Sequence, residues 1–342
     1  MGRKTVMNRI TSPEKTALIN KNNIRLKDDF LMYLKSIQRS PGTIHGYDND
    51  LLIVFTYIME ELENKDFQKL TKRDIVRLQS WLISHHNSSA RIRRIKSAIS
   101  SLSNYCENIL SDDDPDFDGY RSIVRKIESP PLSPVREKTV MSEDDVESIL
   151  KMLINKNRIE VACYVALAAY GGRRKAEILR FKVSDFDDDK LICGGSLWKS
   201  SPIKTKGRGE GKYLNCYTLV RKFKPYLELW MAERKRLHIE SEWLFPLRTD
   251  QTKTLPISTV NSWMIAISKM YGKNIYAHSY RHFFSTMLSN EGLPDNVIKE
   301  IQGWSDISLV SVYVDRDTED TLDMYFDADG IKPVEKKGLN DL

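Results

Sequence analysis

A proline-rich segment near the middle of the chain divides the sequence into two candidate domains. Residues 129–134 read Ser-Pro-Pro-Leu-Ser-Pro, and proline lacks both the amide hydrogen and the freedom of φ that helices and central strands require. An acidic run at residues 112–114 precedes this segment. We therefore predict a linker over residues 128–140, with one domain before it (24–127) and a second after it (141–314).

The first domain carries apolar residues at helical spacing in four consecutive segments. The first segment stops at residues 40–42, which read Ser-Pro-Gly, and Thr71 with Asp74 has the pattern of a helix N-cap. The fourth segment runs from about residue 90 to residue 109 and is crowded with basic residues near its start. These are the candidate DNA-binding residues Arg91, Arg93, Arg94 and Lys96. The pattern predicts an all-helical first domain.

The chain begins with a short basic stretch that has no sustained apolar period. Residues 1–22 contain five Lys or Arg and a single acid, Glu14. We expect residues 1–23 to form a mobile basic arm. Over the whole chain, 53 Lys and Arg against 47 Asp and Glu give a net charge of only +6. That charge points to nucleic acid only if the basic side chains share one surface.

The second domain is helical by pattern, except between residues 190 and 219. Two stretches rich in β-forming residues flank a glycine-containing loop at residues 205–211 in that region. The fold class is therefore mainly α with a small antiparallel β-sheet.

Several classes of protein are excluded by what the sequence lacks. No run approaches the ~20 apolar residues that span a bilayer, and the opening has no apolar stretch of signal-peptide length. The four cysteines show no CxxC spacing, which argues against a zinc cluster or a disulfide framework. We expect a cytoplasmic protein with no metal centre and no membrane partner.

Four local patterns in the second domain could carry chemistry, and each has an ordinary structural alternative. Residues 171–178 place two glycines and two arginines where one helix ends and another begins, which is also how a plain helical hairpin looks. His278 and Arg281 are three residues apart, so on a helix they share one face and could bind a single phosphate together. A histidine and an arginine at this spacing are also common by chance. Lysines at the glycine-rich turn are ordinarily solvated. The last pattern is Gln302, Gly303 and Trp304 followed by Tyr313.

Taken in order, the four patterns resemble those of the tyrosine recombinases of the phage-integrase type. Residues 171–178 look like the family's T-G-x-R-x-x-E-L, with Gly171 in place of Thr, and residues 278–281 match H-x-x-R. Residues 302–304 with Tyr313 match L-G-H/W followed nine residues later by Tyr. The resemblance covers about residues 24–325. It implies a helical core-binding domain followed by a mixed α/β catalytic domain.

The resemblance assigns a role to each matched residue. Tyr313 is the nucleophile that forms a 3′-phosphotyrosine, and Arg174 and Arg281 bind the phosphate, since guanidinium stays charged and matches its oxygens. Tyrosine has a pKa of about 10 and needs help to lose its proton. The remaining roles are His278 as general base, Lys206 as general acid (with Lys204 and Lys212 as alternatives), Trp304 as a phosphate donor and Glu177 as an orienting carboxylate.

The resemblance also implies how the whole protein works. The covalent link conserves the phosphodiester energy, so rejoining needs neither ATP nor metal and no cofactor is expected. Strand exchange would take a homotetramer on two double-stranded DNA sites, and accessory DNA-bending proteins are compatible partners. The residues after Tyr313 (315–342) would dock on a neighbouring protomer. Two alternatives stay open: a type IB topoisomerase-like enzyme and a DNA-binding regulator whose site has decayed.

Overall fold

A computed structural model describes residues 10–132, 141–205, 211–314, 326–327 and 330–331. The described chain forms two compact units, one up to residue 132 and one from residue 141 onward, and each has its own apolar core.

The first unit is built from helices, as the apolar periodicity predicts. Its α-helices are α1 (Pro13–Leu18), α2 (Lys21–Ser36), α3 (Pro41–Glu61), α4 (Lys72–Ser84) and α5 (Ser89–Tyr105). A π-helical turn, Cys106–Leu110, and a short helical turn, Ser111–Asp113, continue α5, and 3₁₀ turns lie at Phe67–Lys69 and Pro115–Phe117.

The start of the first unit differs from the mobile arm predicted for residues 1–23. Residues 13–18 form α1, and Ile10 and Ile19 are buried in the core. Asn64 fixes the junction between α1 and α2: its Oδ1 accepts from the Asn20 amide (2.9 Å) and its Nδ2 donates to the Leu18 carbonyl (2.8 Å). The prediction of a mobile arm is therefore wrong for residues 10–23, and residues 1–9 lie outside the described chain.

The capping pattern predicted at Thr71 is present, and a helix start in the second unit has the same pattern. The Thr71 side chain accepts from the Asp74 amide, and Asp74 in turn accepts from the Thr71 amide (2.8 Å). Ser142 and Asp145 make the same reciprocal pair at the first helix of the second unit. Each pair satisfies two backbone donors that a helix start otherwise leaves free.

The second unit is built around a helix that is buried over almost its whole length. Its helices are α6 (Glu143–Asn155), α7 (Ile159–Gly171), α8 (Lys175–Ile178), α9 (Val220–Arg236), α10 (Ile257–Tyr271), α11 (Ala277–Asn290), α12 (Asp295–Gln302) and α13 (Leu309–Tyr313). Residues 161–171 of α7 are all buried, and α7 packs against α6, α9 and α11. Within the described ranges, no helix is long and apolar enough to cross a membrane.

Short antiparallel strands are present where β-structure was predicted, and at two further places. A three-stranded sheet has the order β1 (Leu191–Ile192), β2 (Leu197–Lys199), β5 (Tyr217–Leu219), while β3 (Ile203–Lys204) pairs with β4 (Tyr213–Leu214) as a hairpin. A second hairpin joins β6 (Pro246–Leu247) to β7 (Asp250–Thr254). After α13 the structure describes only a pair of two-residue strands, β8 (Phe326–Asp327) and β9 (Gly330–Ile331). Three 3₁₀ turns complete the unit: Val183–Phe186, Asp188–Lys190 and Cys193–Gly195.

Candidate active site

The end of α7 brings Arg174 to the surface beside a buried carboxylate. Gly172 closes the helix in the left-handed conformation (φ 62°), and Arg174 then becomes the N-cap of α8. Glu177 is buried; its Oε1 accepts from Arg174 Nη1 (2.9 Å) and its Oε2 from the Arg174 amide (3.1 Å). The carboxylate therefore fixes both the backbone and the side chain of Arg174. The Arg174 side chain remains 37% exposed and can reach a ligand.

Arg281 is held rigidly inside the same unit. Its Nη1 donates to the Gly172 carbonyl (2.9 Å) and its Nη2 to the Gln302 carbonyl (3.0 Å), while its buried Nε has no partner. Burial, together with the charges of Arg174 and Arg173, lowers the pKa of Arg281 to about 10. Two of its five N–H groups are thus used on the protein, and a bound anion would relieve both the unpartnered donor and the repulsion.

His278 and Tyr313 meet although 34 residues separate them in sequence. The Tyr313 hydroxyl lies 2.7 Å from His278 Nε2, a hydrogen-bond distance. Burial, followed by the neighbouring positive charges of Arg281, His282 and Arg174, lowers the pKa of His278 to about 4. The imidazole is therefore neutral near pH 7 and able to accept a proton from the hydroxyl.

Besides His278, three aromatic or planar groups surround the Tyr313 ring. The His282 ring is stacked on it at 4.6 Å, the Trp304 ring lies 4.8 Å away, and the Arg281 guanidinium carbon lies 5.6 Å from the ring centroid. The His282 Nδ1 is also 3.4 Å from the Tyr313 carbonyl oxygen. These contacts fix the orientation of the tyrosine on the short helix α13.

Trp304 contributes a donor that has no partner. Its side chain is 5% exposed, and its buried indole Nε1 makes no hydrogen bond to the described residues. Such a donor costs about 1–3 kcal/mol if it stays unpaired. A phosphate oxygen bound next to Arg281, whose guanidinium lies 5.5 Å from the indole ring, would satisfy it.

In sequence, the three candidate lysines lie between Ile203, where β3 begins, and Tyr213, where β4 begins. Lys206 lies outside the described residues. Lys204 and Lys212 are both exposed at the end of the β3–β4 pair from which the connecting loop leaves, where the Lys212 carbonyl accepts from the Thr205 amide (2.6 Å) and hydroxyl (3.0 Å). The choice among the three lysines stays a prediction.

The four basic residues predicted to bind DNA lie together on α5 of the first unit. Buried Asp50 forms an ion pair with Arg91 and accepts a hydrogen bond from Arg94 Nε (2.9 Å), whereas Arg93 Nε donates to the Pro130 carbonyl (3.0 Å). Lys96 Nζ bonds to the Ile127 carbonyl and to Ser129 Oγ (3.0 Å), and burial lowers its pKa. All four side chains are therefore held in place, and their binding to DNA remains a prediction.

Sequence reasoning assigned no role to two residues of this site, Arg173 and Gln302. Both are about 1% exposed, and the Gln302 carbonyl accepts from Arg281 and from Arg173 Nη1 (3.2 Å). Arg173 occupies the variable position of the T-G-x-R pattern, where the motif gives no signal. Because Arg174 and Lys175 follow it directly, the sequence offers no signal that distinguishes Arg173. Across the described ranges, no group of three or more His, Cys, Asp and Glu could hold a metal ion.

Comparison with known proteins agrees with the motifs. The phage integrase family matches residues 139–320, and the N-terminal SAM-like domain of phage integrases matches residues 28–107. The chain is similar to the SPbeta prophage-derived recombinase-like protein YomM of Bacillus subtilis (29% identity, 78% of this chain and 76% of that protein). It is also similar to the tyrosine recombinase XerA of Pyrococcus horikoshii (24% identity, 85% and 89%).

Solved structures show the same fold. XerH recombinase bound to a palindromic difH substrate, in a post-cleavage complex, has a TM-score of 0.64 at 17% identity, with 93% of each chain covered. A lambda integrase dimer bound to a COC′ core site has a TM-score of 0.60 at 15% identity, covering 96% of this chain and 86% of that one. The two-part architecture of this protein therefore has known counterparts.

Proposed function

The chain belongs to the phage integrase family and is a tyrosine site-specific recombinase, and on this basis we propose how its own residues cleave and rejoin DNA. Tyr313 attacks the scissile phosphate, forming the bond from Oη to phosphorus while the bond from phosphorus to the 5′ oxygen breaks. The observation that carries this assignment is the 2.7 Å distance between the Tyr313 hydroxyl and His278 Nε2. The depressed pKa of His278 supports it, because only the neutral ring can take the proton.

Arg174 and Arg281 bind the nonbridging oxygens, on which negative charge grows in the transition state. Two observations support this role: Arg174 keeps exposed nitrogens after pairing with Glu177, and Arg281 keeps a buried, unpartnered Nε. The Trp304 indole donates a further hydrogen bond. Donors that are fixed before the reaction stabilise developing charge without a cost of reorganisation.

Lys206 gives its proton to the leaving 5′ oxygen, with Lys204 and Lys212 as the alternatives. The balance is complete, since the proton lost by Tyr313 goes to His278 and the leaving oxygen receives one from lysine. Rejoining reverses these steps with a 5′ hydroxyl from the other site, and it needs no added energy because the phosphotyrosine retains that of the phosphodiester.

We further propose that four protomers act on two double-stranded DNA sites in the cytoplasm, with accessory DNA-bending proteins as additional partners. The support is the family membership and the DNA-bound state of the similar recombinases. The basic residues of α5 are proposed to contact the DNA backbone, to which Lys and Arg bind irrespective of sequence.

A covalent-adduct assay tests the central assignment. Tyr313→Phe removes only the hydroxyl, so DNA binding should be retained while the protein–DNA adduct on a nicked suicide substrate disappears. Tyr325, which lies outside the described residues, is the rival nucleophile, and Tyr325→Phe is the matched control that should still form the adduct. The reverse result would refute the assignment, and no adduct from the wild-type protein would favour the decayed regulator.

A further inference from the structure

Arg173 is a fully buried cation whose described hydrogen bonds all go to backbone carbonyls. It is 1% exposed, and its Nη1 donates to the Gln302 carbonyl (3.2 Å). Its Nη2 donates to the carbonyls of Ile301 and Asn215, the latter at 3.4 Å. The cost of burying a guanidinium is large, so a side chain of this kind is kept for what it connects.

The three carbonyls belong to two segments that are far apart in sequence. Ile301 and Gln302 end α12, immediately before Gly303 and Trp304, and a cation at a helix C-terminus is favoured by the helix dipole. Asn215 directly follows β4, the second strand of the hairpin that holds the candidate lysines. Arg173 therefore ties the base of the lysine hairpin to the turn that carries Trp304.

Apolar packing reinforces the same junction. Gly303 has φ +66°, and a Cβ built there would lie 2.8 Å from Leu214 Cδ1 and 3.2 Å from Arg173 Nη1. The Leu214 side chain, from β4, thus lies directly against the backbone of the Trp304 turn. Any larger residue at position 303 would separate the hairpin from this turn.

Hydrogen bonds to neighbouring residues fix both strands of the hairpin, so a displacement at Asn215 would also displace the lysines. Asn215 Nδ2 donates to the Ser200 carbonyl (2.7 Å), and the Cys216 amide donates to Ser200 Oγ (2.9 Å). On the first strand, Arg180 donates to the Lys204 carbonyl. A shift at Asn215 would therefore move the strand pair as a unit.

We propose that Arg173 is a positioning residue that holds the β3–β4 hairpin, and with it the lysine that protonates the leaving oxygen, in register with the segment bearing Trp304 and Tyr313. This inference rests on the proposed function of the hairpin lysine. It does not depend on which of the three lysines acts. Arg173 acts through its carbonyl contacts and does not touch the DNA.

Lysine at position 173 could not perform this task. The planar guanidinium presents five N–H groups in a fixed fork and reaches three carbonyls from two directions, whereas an ammonium is a single point of donation. The neighbouring Arg174, by contrast, points its donors at a carboxylate and at the exterior.

The test measures single-turnover cleavage on two DNA substrates that differ only in the 5′ bridging atom, oxygen or sulfur. A thiolate leaves without receiving a proton, so the sulfur substrate does not need the lysine. We expect Arg173→Met to cleave the oxygen substrate about 100-fold more slowly than wild type, since a displacement of ~1 Å can cost this much. On the sulfur substrate its rate should approach that of wild type.

Arg234→Met is the matched control. Arg234 is 3% exposed and, like Arg173, donates only to backbone carbonyls in the described chain: those of Trp243 (2.7 Å), Leu244 (2.9 Å) and Ser241. It lies in α9, and its acceptors belong to neither the hairpin nor the Trp304 turn. Its replacement should leave the ratio of oxygen to sulfur rates at the wild-type value.

The outcomes separate this inference from the proposed function. If Lys206→Ala, Lys204→Ala or Lys212→Ala is rescued by sulfur but Arg173→Met is slowed equally on both substrates, the positioning role is refuted and the general acid stands. If sulfur rescues none of the lysine variants, the general-acid step itself falls, and this inference with it. Should Arg173→Met fail to fold, Arg173→Gln is measured instead, with the same change of ratio expected and the same equal slowing refuting the role.

Discussion

At the scale of single residues, the proposed mechanism uses hydrogen-bond donors that have no partner in the described chain. The buried Nε of Arg281 and the Nε1 of Trp304 are donors without partners. Arg173, Arg174 and Arg281 lie close together, with Glu177 as the carboxylate bonded to one of them. In the proposed mechanism, a bound phosphate would supply both the missing acceptors and the missing negative charge, and the transition state would supply more of that charge than the substrate does.

The proposed binding of the scissile phosphate by Arg174 predicts that Arg174→Lys slows cleavage far more than it weakens DNA binding. Lysine retains the charge but loses the fork that serves Glu177 and the phosphate together, so we expect a loss of about 3 kcal/mol in transition-state stabilisation. Single-turnover cleavage and a separate measurement of Kd check this. Arg221→Lys, at an exposed position of α9, is the control that should change neither. A near-normal cleavage rate for Arg174→Lys would refute the phosphate-binding role of Arg174.

His278 predicts a pH dependence of stability. Burial and then the charges of Arg281, His282 and Arg174 lower its pKa from 6.5 to about 4 in the folded protein. Because the unfolded chain takes up this proton near pH 6.5 and the folded chain only near 4, the contribution is fully present above pH 6.5 and is lost as the pH falls towards 4. Urea denaturation at pH 7 and pH 4.5 should show a larger loss of unfolding free energy for wild type than for His278→Gln. Equal losses in the two proteins would contradict the shift.

At the scale of elements, the joint between α7 and α8 depends on a glycine that has no room for a side chain. A Cβ on Gly172 would lie 2.2 Å from Phe284 Cδ1 and 2.7 Å from Gln302 Nε2, and its φ of +62° is unfavourable for other residues. The same Gly172 offers its carbonyl to Arg281. The turn therefore sets the distance between Arg174 and Arg281, the two arginines proposed to bind the phosphate.

Gly172→Ala should consequently destabilise the protein more than a left-handed backbone alone explains. Gly272→Ala is the matched control, since Gly272 also ends a helix with positive φ (+82°) but has nothing within 4 Å of an added Cβ. We expect about 1–2 kcal/mol for the control from backbone strain, and a further ~1–3 kcal/mol for Gly172→Ala from overpacking. Chemical denaturation of both variants measures the difference in unfolding free energy. Equal losses of unfolding free energy would show that Phe284 moves aside without destabilising the protein.

Elements defined by local chemistry could be predicted from the sequence, and those defined by distant contacts could not. The caps at Thr71 and Ser142 are readable because donor and acceptor lie three residues apart. Helix α1 was missed because its anchor, Asn64, is more than 40 residues away. The β6–β7 hairpin was missed as well, since only β7 exceeds three residues and its sequence is polar.

The site divides in the same way. Tyr313, His278, Arg281, Arg174 and Trp304 were identified from ordered motifs, and the structure brings all five together. Arg173 was not predicted as a site residue because its partners are backbone carbonyls, which a sequence pattern does not reveal.

At the scale of the whole molecule, the residues after Tyr313 form the segment that we predict to dock on a neighbouring protomer. Seven acidic residues follow within 16 positions, with an apolar group between them. The acids are Asp315, Asp317, Glu319, Asp320, Asp323, Asp327 and Asp329, and the apolar residues are Leu322, Met324, Tyr325 and Phe326. Of this segment the structure describes only the pairing of Phe326–Asp327 with Gly330–Ile331. Negative charge of this density is repelled by DNA, so protein is the surface to which the segment should dock.

Truncation before Asp320 tests whether that surface belongs to a neighbouring protomer. If Leu322 to Phe326 fill a groove in trans, the truncated protein should keep single-site DNA binding but lose tetrameric synapsis and strand exchange. Both can be measured by native gel shift and by recombination of two-site DNA. A chain ending at Ile331 is the control, because it retains the apolar group and the β8–β9 pair and should still recombine. Docking within the same chain would show differently: the shorter protein would either unfold, as its own core became exposed, or recombine at the normal rate.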